Sequence, residues 1–323
     1  PATMHQTMLF FTKKGRCYWM KCYEIPEGDK NSKGRAIQNM LALDPGDSVN
    51  AFLRLRGLSE EFVKSHYVVF ATKRGIVKKT SLEAFSHPRN VGVRAITINE
   101  GDEVVDVRLT NGRNQLILAN RNGRAVRFDE TDVRAMGRTA TGVCGMKPDD
   151  DGQDEVVGMI VVNDPKTESV MVVSQEGYGK RSEVEDYRMT RRGAKGVKTL
   201  NITEKTGKLV AIKNVTDDND LMIINQSGIV IRMAVAEVRV MGRNTQGVRL
   251  INLTKKNDVI ASVCKVMSSE ARVEEESHSQ WQKTSDDLKS DNTPTNLAAI
   301  ATPSDEADSQ SDETSESVSE EKE

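Results

Sequence analysis

The sequence predicts an all-β, repeat-built fold of the propeller type, because one residue pattern recurs five times between residues 6 and 267. Each unit has an apolar run, a short polar turn that ends in glycine, and a second run with basic residues. A second glycine follows the turn glycine at offsets of 19, 17, 19, 19 and 19 residues. Helical spacing of apolar residues is nearly absent, apart from one expected turn at 59–64. Two glycines at a nearly constant separation in every unit indicate a repeated structural element.

The first part of each unit predicts a β-hairpin. The apolar runs at 8–11, 68–71, 116–119, 170–173 and 221–224 are short and rich in residues that favour strands. A tight turn needs a residue with positive φ, and glycine adopts it without a steric clash. The turn glycines are Gly15, Gly75, Gly123, Gly177 and Gly228.

The second part of each unit predicts two further strands. A basic, glycine-containing segment follows each hairpin, and another alternating run follows an acidic turn, as at 102–107 and 154–159. Four strands in a period of about 50 residues are typical of a propeller-like array, in which each sheet buries its faces against its neighbours. We therefore expect five four-stranded units in one domain that spans residues 1–267.

Charge divides the chain into two parts. Residues 270–323 hold sixteen Asp or Glu and four Lys or Arg, so they carry −12; because the whole chain carries −2, residues 1–269 carry +10. A basic body of this kind suggests binding to a polyanion, although basic side chains also keep strand edges soluble. The apolar pattern stops at Ser268, and we expect residues 268–323 to form a disordered acidic tail.

The composition argues against several other classes of protein. The four cysteines form no CxxC pair, which makes a zinc site improbable and favours reduced thiols in the cytoplasm. No apolar run approaches the roughly 20 residues that span a membrane. A GxxxxGK[ST] phosphate-binding loop is absent from the sequence, and we expect no catalytic residue and no metal site. The chain starts at Pro1 rather than Met, so we expect a fragment of a longer protein.

Four further segments are distinctive, namely GIVKKT (75–80), VRAMGRTATGV (133–143), GYGKR (177–181) and VMGRNTQGV (240–248). On these segments the chain resembles the C-terminal domain of the bacterial DNA gyrase A subunit over residues 6–267. The resemblance implies a six-bladed β-pinwheel, of which five blades are present. It also implies that a basic outer rim bends and wraps duplex DNA for ATP-dependent negative supercoiling by the full enzyme, with low sequence specificity.

The basic, glycine-containing segments are the predicted DNA contacts. The segment TRRGAKG at 190–196 is similar to the family's own glycine-rich box, but it lies in the fourth unit rather than in the first blade, so we do not identify it as that box. Its glycines could let the backbone approach a phosphate, or they could serve as a latch between blades, and both roles are compatible. The predicted DNA-binding residues are Arg191, Arg192, Gly193, Lys195, Gly196, Lys198, Lys33, Arg35, Arg89, Arg94, Arg138, Arg243 and Arg249.

The same resemblance implies the partners. The expected partners are double-stranded DNA, the catalytic half of the A subunit and the gyrase B subunit, which together form an A2B2 enzyme. ATP and Mg²⁺ would bind to those other parts of the enzyme, and we expect no cofactor in this chain. Two alternatives remain open, namely the corresponding domain of topoisomerase IV and a propeller that acts as a protein-interaction scaffold. We also expect the five units to leave an open arc, with an exposed edge near residues 6–11.

Overall fold

The computed structural model describes residues 2–29, 32–55, 57–149, 152–253 and 258–268. The chain divides into a unit of residues 1–272 and a unit of residues 273–323, and the described residues all belong to the first. The acidic tail predicted for 268–323 lies outside the described residues except for Ser268, so its disorder and its boundary stay predictions.

The described residues confirm the all-β class. The strands are β1 (Thr7–Thr12), β2 (Arg16–Lys21), β3 (Val49–Leu55), β4 (Tyr67–Thr72), β5 (Ile76–Ser81), β6 (Val93–Arg94), β7 (Val104–Thr110), β8 (Gln115–Asn120), β9 (Arg124–Asp129), β10 (Val143–Cys144), β11 (Val156–Val162), β12 (Ser169–Ser174), β13 (Tyr178–Glu183), β14 (Val197–Lys198), β15 (Leu209–Val215), β16 (Asn219–Asn225), β17 (Val230–Ala234), β18 (Val248–Arg249) and β19 (Ile260–Met267).

Helices are short throughout the described chain. The helix α1 (Glu60–Ser65) follows the N-cap residue Ser59 and confirms the helical turn expected there. Single 3-10 turns are formed by Cys22–Glu24, Ile37–Asn39, Leu82–Phe85, Glu130–Asp132, Val184–Asp186 and Val235–Glu237.

The strands form five antiparallel sheets, which are the five blades. Their strand orders are β3-β1-β2-β6, β10-β5-β4-β7, β11-β8-β9-β14, β15-β12-β13-β18 and β17-β16-β19. In each of the first four blades, the two-residue strand at one edge comes from the following unit of sequence. This exchange ties each blade to the next through backbone hydrogen bonds. The fifth blade has three strands among the described residues, so the expectation of four strands per unit is confirmed only for the first four blades.

Each hairpin turn is built as the sequence predicts. Gly123 has a φ of 76°, in the left-handed region, and a Cβ atom there would lie 2.6 Å from the carbonyl oxygen of Leu200 in the next unit. The side chain of Asn120 accepts a hydrogen bond from the Arg124 amide at 2.7 Å, which closes the turn. Glycine is therefore required both by the turn and by the neighbouring unit that packs on it.

The core lies mostly between blades, because each pair of neighbouring blades shares one cluster of buried apolar side chains. The first cluster joins blades 1 and 2 and contains Phe11, Phe70 and Phe85 in mutual ring contact, with Phe11 and Phe70 centroids 5.3 Å apart in an edge-to-face arrangement. Three further clusters join blades 2 and 3, 3 and 4, and 4 and 5. Burial of each large apolar side chain contributes about 1.5–3 kcal/mol, so the interfaces between blades hold most of the stabilising contacts.

The exposed apolar edge is not where the sequence suggests. The expectation placed it near residues 6–11, but β1 lies between β2 and β3 and is almost wholly buried. An exposed apolar edge is instead formed by β17 in the fifth blade, where Val230 and Ile231 are 48% and 37% exposed. No strand from a following unit covers β17 in the described part of the chain. Whether the blades form an open arc stays a prediction.

Candidate nucleic-acid interface

The predicted basic segments form four rim loops, which we define as residues 88–94, 137–144, 191–198 and 242–249. Each rim loop ends in the short strand that is donated to the preceding blade: Val93 pairs with Cys17, Val143 with Val77, Val197 with Ala125, and Val248 with Gly179. The opposite edges of the sheets are formed by β3, β7, β11, β15 and β19, and these strands contact one another from blade to blade. Since the donated strand lies at the other edge of its sheet, each rim loop lies at the outer edge of a blade.

The second glycine of the third rim loop packs on the preceding blade. Gly196 has a φ of +81°, and a Cβ atom there would lie 2.4 Å from the carbonyl oxygen of Ala125. The backbone of the loop therefore approaches the acceptor strand β9 more closely than any side chain allows. Gly193 has a similar φ of +80°, but its Cβ would meet its nearest atom, the Cys144 carbonyl oxygen, at 3.6 Å. Of these two predicted glycines, Gly196 thus serves the packing between blades.

Successive rim loops contact one another. The Thr97 amide, just after the first loop, donates to the Ala140 carbonyl in the second at 3.2 Å. The amide of Gly193 in the third loop donates to the Gly145 carbonyl, next to the second, at 2.6 Å. Arg243 in the fourth loop donates from Nη1 to the Lys198 carbonyl in the third at 2.9 Å. These contacts place the basic loops in one series along the outer edges of the blades.

Most of the predicted cationic side chains are accessible to a ligand. Arg138 and Arg243 are half-buried, and the exposed ones are Lys33, Arg35, Arg89, Arg94, Arg191, Arg192, Lys195, Lys198 and Arg249.

Some of these side chains also support the rim itself. Arg192 donates from Nε to the Asp132 carbonyl at 3.1 Å and from Nη1 to the Cys144 carbonyl at 3.2 Å. Arg249 donates from Nη2 to the Tyr178 hydroxyl at 2.8 Å and lies over the Tyr178 ring. Both guanidinium groups are held in place while remaining exposed, which lowers the entropy lost when they bind a phosphate.

The first unit differs from the other four. Lys33 and Arg35 are exposed and lie in a segment that forms neither helix nor strand. The structure therefore does not place them in a donated strand, as it places Arg94 in β6, Lys198 in β14 and Arg249 in β18.

Two basic residues that contact the rim loops were not predicted, because they are buried. Lys78 on β5 and Lys180 on β13 are 0% exposed. Burial, with a smaller contribution from Arg138, lowers the pKa of Lys78 to about 7. Burial lowers the pKa of Lys180 to about 8, with Asp186 opposing and Arg243 adding to the effect. A second basic residue, Lys79 or Arg181, follows each of these lysines, so the sequence pattern suggests a solvated face and gives no signal of burial.

Metal-binding clusters and membrane-spanning helices are both missing from the described part of the chain. Among the described residues, no group of three or more His, Cys, Asp or Glu side chains is placed to hold a metal ion. None of the helices formed by those residues is long and apolar enough to cross a membrane.

The comparison with known families identifies the repeat. A family described as "DNA gyrase C-terminal domain, beta-propeller" matches residues 6–56, 66–111, 114–163, 168–216 and 219–264, one match for each blade. The chain belongs to the DNA gyrase C-terminal domain family. The resemblance inferred from the sequence is confirmed, and the five matches confirm the five repeats.

Curated relatives and solved structures agree with this family. The A subunit of DNA gyrase from Staphylococcus aureus (strain NCTC 8325 / PS 47) is 41% identical over 281 residues, which are 87% of this chain and 31% of the relative. The chain thus spans about a third of the length of the curated relatives it matches.

Among solved structures, a DNA gyrase A C-terminal domain has a TM-score of 0.71 at 24% identity, with 82% of this chain and 84% of that chain covered. The C-terminal domain of a DNA topoisomerase IV has a TM-score of 0.72 at 25% identity, with 84% of both chains covered. Because its identity to this chain is only 24%, the gyrase A C-terminal domain structure supports the fold alone.

Proposed function

We propose that residues 1–267 form the DNA-binding and DNA-wrapping domain of a gyrase A subunit, with residues 268–323 as its acidic tail. The observation that carries the proposal is the series of rim loops, which present exposed cationic side chains at the outer edges of successive blades. A duplex that follows such a series contacts one loop after another and bends as it does so. The bend costs deformation energy, which phosphate contacts offset without reading bases.

The charge of the body fits this role. Residues 1–269 carry +10, and Lys or Arg side chains that neutralise phosphates release condensed counterions, which favours binding. Arg191, Lys195 and Lys198 lie within one loop and are exposed. Because guanidinium and ammonium groups bind any phosphate, the proposed contacts position the duplex without selecting its sequence.

The proposed setting is the complete gyrase. The domain would act with the B subunit, and with the catalytic half of the A subunit, in an A2B2 enzyme that introduces negative supercoils in the bacterial cytoplasm. ATP and Mg²⁺ would bind to those other parts, and this chain would hold no cofactor and no catalytic residue of its own.

Topoisomerase IV is the second candidate, and a specific observation favours it. The structural match to the C-terminal domain of topoisomerase IV is as good as that to gyrase A. Five regular repeats and the long acidic segment favour gyrase. A scaffold that binds protein alone is the third reading, and it would leave the rim loops as a solvated surface.

A salt titration of DNA binding tests the proposal. Fluorescence anisotropy with a labelled duplex gives the affinity at several salt concentrations, and the slope of log K against log salt is about −0.9 per neutralised phosphate. Changing Arg191 and Lys195 to alanine should weaken binding uniformly across sequences and reduce the slope by about 1 for each phosphate that is no longer neutralised. Lys64→Ala on α1 is the control. Binding that does not depend on salt, or no binding, would favour the scaffold.

A further inference from the structure

Two lysines are fully buried inside the blades, although lysine is rarely found in a protein interior. Lys78 and Lys180 occupy the same position in blades 2 and 4, three residues after the turn glycine. The corresponding residues of blades 1 and 3 are Tyr18 and Val126, which are 1% exposed. Because an uncharged side chain packs well at this position, packing alone does not account for the lysines.

Both ammonium groups bind the backbone of rim loops. Nζ of Lys78 donates to the Arg138 carbonyl at 2.8 Å and also to the carbonyl of Ala95, the residue after Arg94. Nζ of Lys180 donates to the Gly242 carbonyl at 2.9 Å and also to the Arg243 carbonyl. An ammonium group has three donors and no acceptor, so it can hold several carbonyls at once. Each lysine thereby fixes the backbone of a predicted DNA-binding arginine.

We propose that Lys78 and Lys180 are positioning residues of the DNA-binding rim, and that DNA binding is coupled to proton uptake at their ammonium groups. The inference rests on the proposed DNA-binding function and deepens it. Arg138 and Arg243 disfavour the charged form of the lysines that hold them. A phosphate bound at either guanidinium would offset that repulsion and favour the protonated lysine. By linkage, protonation of the lysine then strengthens DNA binding.

The coupling falls in an accessible pH range. With a pKa of about 7 for Lys78 and about 8 for Lys180, both lysines are partly neutral near pH 8. Two neighbouring groups do not titrate near pH 8. Burial raises the pKa of Cys17, which lies near Arg138, well above its usual value, and raises the pKa of Tyr187 to about 12. The remaining charged neighbour of Lys180 is Asp186, which raises the lysine's pKa and so favours its charged form. Burial also lowers the pKa of Lys213 and of Lys265, so the signal specific to Lys78 and Lys180 is the part of the proton uptake that is lost when these two lysines are replaced.

Isothermal titration calorimetry of the full chain with a linear duplex tests the inference. The titrations are made near pH 8 in buffers that differ in protonation enthalpy, so that the slope of the observed heat gives the protons bound. We expect net proton uptake and an affinity that falls as the pH rises. The double change Lys78→Met and Lys180→Met should reduce both the uptake and the affinity. Lys64→Met, which removes a charge from an exposed lysine, should leave the uptake unchanged.

The outcomes separate this inference from the proposed function. If the chain does not bind DNA, both the proposed function and this inference are contradicted. DNA binding without proton uptake, or with uptake that the double variant retains, overturns the inference alone. If far-UV circular dichroism shows that the double variant does not fold, NMR of ¹³C-labelled lysines in the unchanged protein measures the lysine pKa values with and without DNA. The assigned resonances of Lys78 and Lys180 should titrate at higher pH when DNA is bound, and unshifted values at these two lysines would refute the coupling.

Discussion

Substitution of Gly196 by alanine should loosen the joint between blades 3 and 4. The change introduces a Cβ at a φ of +81°, 2.4 Å from the carbonyl oxygen of Ala125. The left-handed backbone alone costs about 1–2 kcal/mol in a residue with a side chain. The clash is between two backbone segments, so neither can move away without breaking the pairing of Val197 with Ala125 and of Lys198 with Arg124.

The expected loss of stability follows from the backbone hydrogen bonds that hold this joint together. The amides of Thr199 and Leu200 donate to the Gly123 carbonyl at 2.8 and 3.2 Å, and each such bond contributes about 0.5–1.5 kcal/mol net. Together with the backbone cost, Gly196→Ala should lower the free energy of unfolding by about 2–5 kcal/mol. The decisive comparison is Gly193→Ala. This change has the same cost for a left-handed backbone, but the new Cβ would lie 3.6 Å from its nearest atom, the Cys144 carbonyl oxygen. That variant should lose only about 1–2 kcal/mol.

Urea unfolding followed by far-UV circular dichroism measures both variants. Because repeat proteins can depart from two-state behaviour, the comparison uses transition midpoints and checks that the m-values agree. A clearly larger loss for Gly196→Ala supports the close backbone packing between donated loop and acceptor strand. Equal losses for the two variants would refute it, since the left-handed backbone would then explain the whole effect.

Two further predictions concern stability and reactivity. Glu130 is 0% exposed and pairs with the buried Lys79 at 3.0 Å, so Glu130→Gln should destabilise the fold by about 3 kcal/mol by leaving a buried charge unpaired. Thermal unfolding should show this loss, while Glu60→Gln on the exposed α1 surface should change stability by less than about 0.5 kcal/mol; similar losses would contradict the buried pairing. Burial raises the pKa of the Cys17 thiol well above its usual value, whereas Cys264 is exposed. Iodoacetamide near pH 8 should therefore modify Cys264 and spare Cys17 until denaturant is added, as peptide mass spectrometry can establish; prompt modification of Cys17 would contradict its place in the core.

Local chemistry made much of the fold predictable. Glycine at a turn such as Asn122–Gly123 indicates a positive φ, and the apolar runs before the turns are short and rich in residues that favour strands. The nearly constant offset between the two glycines of each unit identifies the repeat from the sequence alone. The short turn at 59–64 was visible because Ser59 is a good N-cap and acidic residues follow it.

The exchange of strands between units could not be read from the sequence. Val197 and Lys198 pair with Ala125 and Arg124, more than seventy residues earlier, and no local pattern encodes such a register. For the same reason the exposed edge was expected near residues 6–11, whereas β1 is covered on both sides and β17 is exposed. Which strands lie at an edge depends on all five units together.

The candidate site was predictable in its residue types but not in its architecture. Exposed arginines such as Arg191 follow from basic residues placed beside glycines. The contribution of Lys78 was missed because a lysine next to another lysine in GIVKKT suggests a solvated face. Only the three-dimensional packing shows that Lys78 points inward, where it meets the carbonyl of Arg138 in the second rim loop and that of Ala95 just after the first.

The most direct test of wrapping is the linking number of DNA bound to this chain. A relaxed, nicked plasmid is sealed by ligase in the presence of the protein at low and high salt. The same is done with Arg191, Arg192 and Lys195 changed to alanine, and with the exposed residues Lys64, Arg113 and Lys166 changed to alanine as a control of equal charge. We predict a salt-sensitive shift in linking number that only the rim-loop variant weakens. DNA binding without a shift, or an equal effect of both triple changes, would contradict wrapping by the rim loops.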